Sequence, residues 1–200
     1  MPSSSEIAAE QLEATVAQLR EQHLADVVYY VLSEGDNGEL PEEWDFGDWH
    51  VPTMGVELIT DSGQHYSMIW DHTFTYYALE TYPKPMTEIL TAGRPWGSMA
   101  VPVSGHPEWV KLIGQEIVTA DICWAKDPLG TVREPVAVHL GLRDSAVWII
   151  AGRPADPGAA SEFSLGTDDV LVVFTPEMAA RAGIPDSAPL ATKHRMAPRV

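Results

Sequence analysis

PVAVHLGLRDSAVWIIAG, residues 135–152, is the stretch on which the fold turns. Val136, Val138, Leu140 and Leu142 alternate with Ala137, His139 and Gly141, the period of a strand with one buried face. Arg143-Asp144-Ser145 is the size of a hairpin loop, and Ala146 to Gly152 resumes as a second strand. A parallel partner would need a crossover of a dozen residues or more, so this pair is antiparallel.

The pattern extends in both directions. Upstream, Glu116 to Trp124 reads as a strand. Downstream, Asp169 to Phe174 has no alternation and is expected to be buried on both faces. Between them, Pro154 to Leu165 is rich in Pro, Gly, Ala and Ser and reads as a longer loop. A last helix is expected from Thr175, with Pro176 at its first position and a stop at Gly183 before Pro185.

The first half offers a helix over residues 5–22, where Leu12, Val16 and Leu19 share a face and Ser4 or Ser5 is the cap. The apolar pattern resumes at Leu24, Val27, Val28, Val31 and Leu32. It continues the helix or, given Tyr29, Tyr30 and three valines, forms a strand. Gly55 to Thr60 and Gln64 to Asp71 form a hairpin around Asp61-Ser62-Gly63. Met86 to Leu90 is a helical turn, and Ser98 to Val103 a short edge strand. The fold class is α+β: a mostly antiparallel sheet or small half-barrel with an N-terminal helix and a short C-terminal helix. One domain covers 1–200, divided into a helical segment (1–33), an acidic aromatic loop (34–53), the sheet (54–174), the terminal helix (175–184) and a flexible tail (190–200).

Charge is the most unusual property. The chain carries 29 acidic and 12 basic side chains, a net charge of −17. Between Arg20 and Lys84 there is no Lys or Arg, and thirteen acidic residues fall in that window. Such a balance argues against unaided nucleic-acid binding and against an anionic membrane surface. No apolar run approaches the roughly 20 residues of a membrane-spanning helix. Without a secretory leader, and with Cys123 as the single cysteine, the expected setting is the cytoplasm.

No catalytic signature is found, so no catalytic residue and no cofactor is assigned. His65 and Asp71 lie about 20 Å apart if Gln64 to Asp71 is extended, too far to share an ion or a proton. The same strand places Tyr66, Met68 and Trp70 on one face. Asp45, Asp48 and His50 resemble an oxygen-rich cation loop, but calcium needs six or more oxygens and the glycine of its loop motif is absent. The plainer reading is a solvated acidic loop, and no metal is assigned. His23, His106 and His139 have no second ligand at helical or strand spacing. Ser98 and Ser104 lie beside glycines without a nucleophile-elbow motif. Cys123, between Ile122 and Trp124, reads as a small hydrophobe.

Residues 34–50, EGDNGELPEEWDFGDWH, combine seven acids with Trp44, Phe46 and Trp49. Acidic tails rarely hold so many aromatics, so this loop is pinned to the body of the protein or to a partner. The expected function is an acidic interaction module that binds a basic protein, an immunity or inhibitor protein against a toxin being one such type. Its contact residues are Asp36, Glu39, Glu42, Glu43, Trp44, Asp45, Asp48 and Trp49. The alternative is a small-molecule-binding domain or enzyme with a pocket between sheet and helices, lined by residues 66, 68 and 70. In the blandest reading the charge serves solubility alone.

Overall fold

Leu24 to Leu32 takes the strand alternative, and much of the architecture follows from it. The computed structural model describes residues 3–34, 40–74, 77–90, 97–126, 133–156 and 159–184. In chain order the elements are α1 (Ser4–Ala17), β1 (Leu24–Glu34), β2 (Leu40–Pro41), β3 (Trp49–His50), β4 (Gly55–Thr60), β5 (His65–Asp71) and β6 (Ala78–Tyr82). A 3-10 turn (Met86–Glu88) follows, then β7 (Ser98–Pro102), α2 (Pro107–Val110), β8 (Ile117–Lys126), β9 (Arg133–Leu142), β10 (Ala146–Asp156), β11 (Ala159–Val173) and α3 (Pro176–Arg181).

Every strand pairing is antiparallel, as the 135–152 stretch requires. The strands form two sheets rather than the half-barrel considered from sequence. One runs β2-β1-β4-β5-β6 with β7 on the other side of β1, and the second runs β3-β11-β10-β9-β8. Each has an apolar inner face. Val27, Tyr29, Val56, Leu58 and Met68 of the first join Val138, Leu140, Ile149, Val170 and Val172 of the second in one buried cluster. Splitting into two packed sheets is the usual outcome for this many twisted strands.

Several boundaries differ from the sequence reading. The first helix is shorter than 5–22, ending at Ala17, and its cap is Ser3. Glu6 accepts from the Ser3 amide while Ser3 Oγ accepts from the Glu6 amide, a reciprocal capping box. The 1–33 segment is therefore half helix and half strand. Within 34–53 the chain forms two short strands. The loop expected at 154–165 is largely the outer part of a long hairpin, because β10 and β11 stay paired from Trp148↔Val173 out to Asp156↔Ala159. The register jumps between Ala151↔Val170 and Gly152↔Leu165, so residues 166–169 bulge out, with Gly166 at φ +67°. Composition hid this strand because Pro, Gly and Ser mark bulges as well as loops. The terminal helix matches its expectation: Thr175 Oγ1 accepts from the Met178 amide, and Pro176 opens the helix. The 190–200 tail, Asp36 and Glu39 lie outside the described residues. No helix among the described residues is long and apolar enough to cross a membrane.

The outer face of the first sheet is also covered. Tyr30, Ile69 and Met86 pack there, with Val28, Tyr82 and Ile89 around them. Gly55, at φ +155°, makes this approach possible: a Cβ there would lie 2.6 Å from the Met68 carbonyl oxygen and 2.7 Å from the Met86 methyl. The cover buries a carboxylate. Glu57, 4% exposed, accepts from Tyr30 Oη at 2.9 Å and the Met86 amide at 3.1 Å, and lies 2.5 Å from His65 Nδ1. His65 therefore has a carboxylate partner across the β4–β5 ladder, not along its own strand.

Candidate functional site

The acidic aromatic loop leaves the first sheet at β2 and enters the second at β3, where Trp49 and His50 pair with Val173 and Val172 of β11. Between them residues 44–51 fold into a small hairpin. The Val51 amide donates to the Trp44 carbonyl, Asp45 and His50 form an antiparallel bridge, and the Phe46 amide donates to the Trp49 carbonyl. The tip is closed by Gly47 at φ +81°, whose amide donates to Asp45 Oδ1 at 2.9 Å. A side chain at Gly47 would strain the turn that aims Asp45.

Both tryptophans face inward. Trp49 is buried, stacks on Phe46 at 5.9 Å and meets Phe163 edge-on. Trp44 is half-buried and meets Tyr29, His50 and His106 edge-on at 5.1–5.6 Å. The aromatics thus pin the loop to its own body. Of the expected contact residues, Glu43, Asp45 and Asp48 are exposed, and Glu42 is half-buried and accepts from Thr53 Oγ1.

Under the loop the two sheets and α2 bring together a polar centre. Trp109 Nε1 of α2 donates to Tyr29 Oη of β1 at 2.7 Å, and Tyr29 Oη lies 2.7 Å from His50 Nδ1. Tyr29 accepts from Trp109; when its own hydroxyl proton goes to His50 Nδ1, the imidazole proton sits on Nε2. That Nε2 belongs to a side chain with 0% exposure and has no hydrogen-bond partner among the described residues. Its nearest carboxylate oxygen, Asp45 Oδ1, is 3.6 Å away. The other Asp45 oxygen lies 3.2 Å from His106 Nε2, and the two imidazole rings cross at 90° with centroids 4.5 Å apart. Asp45, His50 and His106 each offer a donor atom, and these lie within 4.8 Å of one another.

The electrostatics keep this centre poised for neutral imidazole and ionised carboxylate. Burial, and secondarily His106, pushes the His50 pKa down to about 4 against the opposing pull of Asp45 and Glu108. The Gly47 amide, with help from His106 and His50, holds Asp45 below the usual carboxylate range. Burial drives the Tyr29 hydroxyl well above its ordinary value, so it is neutral throughout the physiological range.

Beside the loop lies a cleft of about 270 Å³ whose lining includes Asp48, Glu108, Phe174, Glu177 and Arg181. The Phe174 ring also contacts His50, with centroids 5.0 Å apart. The residues of the alternative pocket are elsewhere: Tyr66 and Met68 fill the core between the sheets, and Trp70 Nε1 donates to the Thr53 carbonyl. Ser104 is held by Asp26 and the Val27 amide. His139 stacks on Trp148 at 4.6 Å, and Cys123 is half-buried.

His106 had no signal in sequence. It caps a four-residue helix, a role rare for histidine, and lies 56 positions beyond His50. No family model matches the chain, and no curated protein and no solved structure is significantly similar to it.

Proposed function

We propose that the protein is an acidic interaction module that takes a basic protein partner at the cleft beside its 42–48 loop, as an inhibitor or immunity protein takes a toxin. The observation that carries this reading is a gathering of like charge from distant parts of the chain. Glu108 and Glu177, both outside the thirteen-acid window, line the same cleft as Asp48; Arg181 is the cation of that lining, and Lys111 pairs with Glu108 at 2.8 Å from outside it. Glu43 and Asp45 are exposed on the adjoining loop. Like charges held together destabilise a monomer and attract a cationic partner. The two tryptophans hold the loop in place, so the contact surface is its carboxylates, and association is steered chiefly through its on-rate.

The test compares the wild-type chain with an Asp48→Lys, Glu177→Lys double variant as baits, at low and high salt. A basic protein captured by wild type, released by salt and not captured by the variant supports the reading. Capture of the same proteins by both baits, at both salts, overturns it.

A further inference from the structure

We propose that Asp45, His50 and His106 form a binding site for one divalent transition-metal ion of the zinc class, with a coordination position left open to water or an exogenous ligand. It shares Asp45 with the partner reading above but does not rest on it.

The donor set and its dimensions fit. Zinc takes imidazole nitrogen and carboxylate oxygen at about 2.0–2.2 Å, so a tetrahedral shell places its donors about 3.4 Å apart. Asp45 presents one oxygen 3.6 Å from His50 Nε2 and the other 3.2 Å from His106 Nε2, and one donor atom from each of the three residues lies within 4.8 Å of the others, so small side-chain shifts bring them to that spacing. A hard cation such as calcium is a poor match, because two of the three donors are nitrogen. Three protein ligands are also the number that leaves a fourth tetrahedral position free.

The second, independent observation is the orphaned nitrogen. A buried polar atom without a partner costs about 1–3 kcal/mol, and proteins rarely leave one without cause. His50 Nε2 is such an atom, and it is aimed at the Asp45 carboxylate and the His106 ring. The opposite ring nitrogen is fixed by Tyr29, which Trp109 fixes in turn. Metal-binding histidines are characteristically oriented through their other nitrogen in this way.

The protons balance. As an ion takes Nε2 of His50, the ring proton moves to Nδ1 and donates to Tyr29 Oη, which still accepts from Trp109; the Tyr29 hydroxyl proton then gives up His50 as its acceptor. At His106 the proton likewise moves to Nδ1. The 3.3 Å hydrogen bond that Nδ1 now accepts from the Glu108 amide is then given up. Asp45 is already ionised and loses nothing.

The experiment uses the untagged full chain after chelator treatment, titrated calorimetrically with Zn²⁺ and, separately, with Co²⁺ followed by its visible absorption. The expected result is one ion per chain, intense Co²⁺ bands of a four-coordinate site, and binding weakened at least tenfold in Asp45→Ala and in His106→Ala. Both positions are at the loop and cap rather than in the core, and circular dichroism checks the fold of each variant. Because either variant could still misfold, nitrogen NMR of the wild-type imidazoles is the second readout: Nε2 of His50 and His106 should shift on adding Zn²⁺ while His23 and His65 stay in place. Absence of stoichiometric binding, binding undiminished in both variants, or shifts confined to other histidines would overturn the site.

Discussion

On the outer face of the first sheet, Glu57 is nearly inaccessible, and a tyrosine hydroxyl, a backbone amide and an imidazole converge on it. Between the sheets, His50 is more deeply buried still, yet among the described residues only its Nδ1 has a hydrogen-bond partner. Both regions bury ionisable groups from the same acidic half of the chain. The first is complete as it stands and behaves as structure. The second is complete on one side only, and its unmet side faces two further donors. A buried polar network that satisfies itself stabilises the fold; one that stops short calls for a cause, and a bound ion is one such cause.

The comparison can be broken most forcefully at Glu57. Replacement by Ala strips the acceptor from the Tyr30 hydroxyl and the Met86 amide at once. A loss of about 3 kcal/mol is expected, read as a lower urea midpoint at unchanged slope. A loss under about 1 kcal/mol would mean that the network contributes little.

His50 and Tyr30 should also fail at opposite ends of the pH scale. In the metal-free chain His50 stays neutral down to about pH 4, whereas in the unfolded chain it protonates near 6.5. Stability is therefore full above pH 6.5 and falls as pH drops toward 4, by at most about 3 kcal/mol from this group. Zn²⁺ should deepen the contrast, since protons and metal compete for the same nitrogen. Tyr30 is pushed up to about 12 by burial and by Glu57, so the outer face loses stability as pH rises from 10 toward 12. Unfolding measured across pH, for wild type and for His50→Gln, separates the two: the variant should flatten the acid limb and leave the alkaline limb intact.

The smallest effect is expected from Tyr29→Phe, which removes one hydroxyl between Trp109 and His50. It should cost about 1–2 kcal/mol of stability and weaken Zn²⁺ binding about tenfold. Unchanged metal affinity with reduced stability would make Tyr29 a packing residue rather than a positioning one.

Local pattern made much of the sheet readable. The 55–71 hairpin, the alternation of β9, the fully buried Val170 to Val173 and the Thr175-Pro176 helix start all depend on neighbours within a few residues. What depends on distant partners was hidden. The Met86 to Leu90 segment covers the outer face of the first sheet, a contact no local pattern around Glu57 could announce. The candidate site was half visible. Asp45 and His50 stood out in their loop. His106 reaches them only because β7 pairs with β1 and delivers α2 to the mouth of the loop. The direction of Trp44 and Trp49 could not be read either, since an aromatic in an acidic loop serves a core or a partner equally well until the surrounding strands are known.

The two-residue strand β3 has a further effect on the chain's behaviour in solution. Without it, β11 would be the edge of its sheet and would present the run from Val170 to Val173 to any other strand with free backbone groups. An apolar, low-charge edge of that kind templates fibril-like stacking between molecules. Trp49 and His50 occupy the backbone positions opposite Val173 and Val172, so the loop that carries the acidic surface also acts as a guard against self-assembly. Any change that undocks it should be seen first as aggregation.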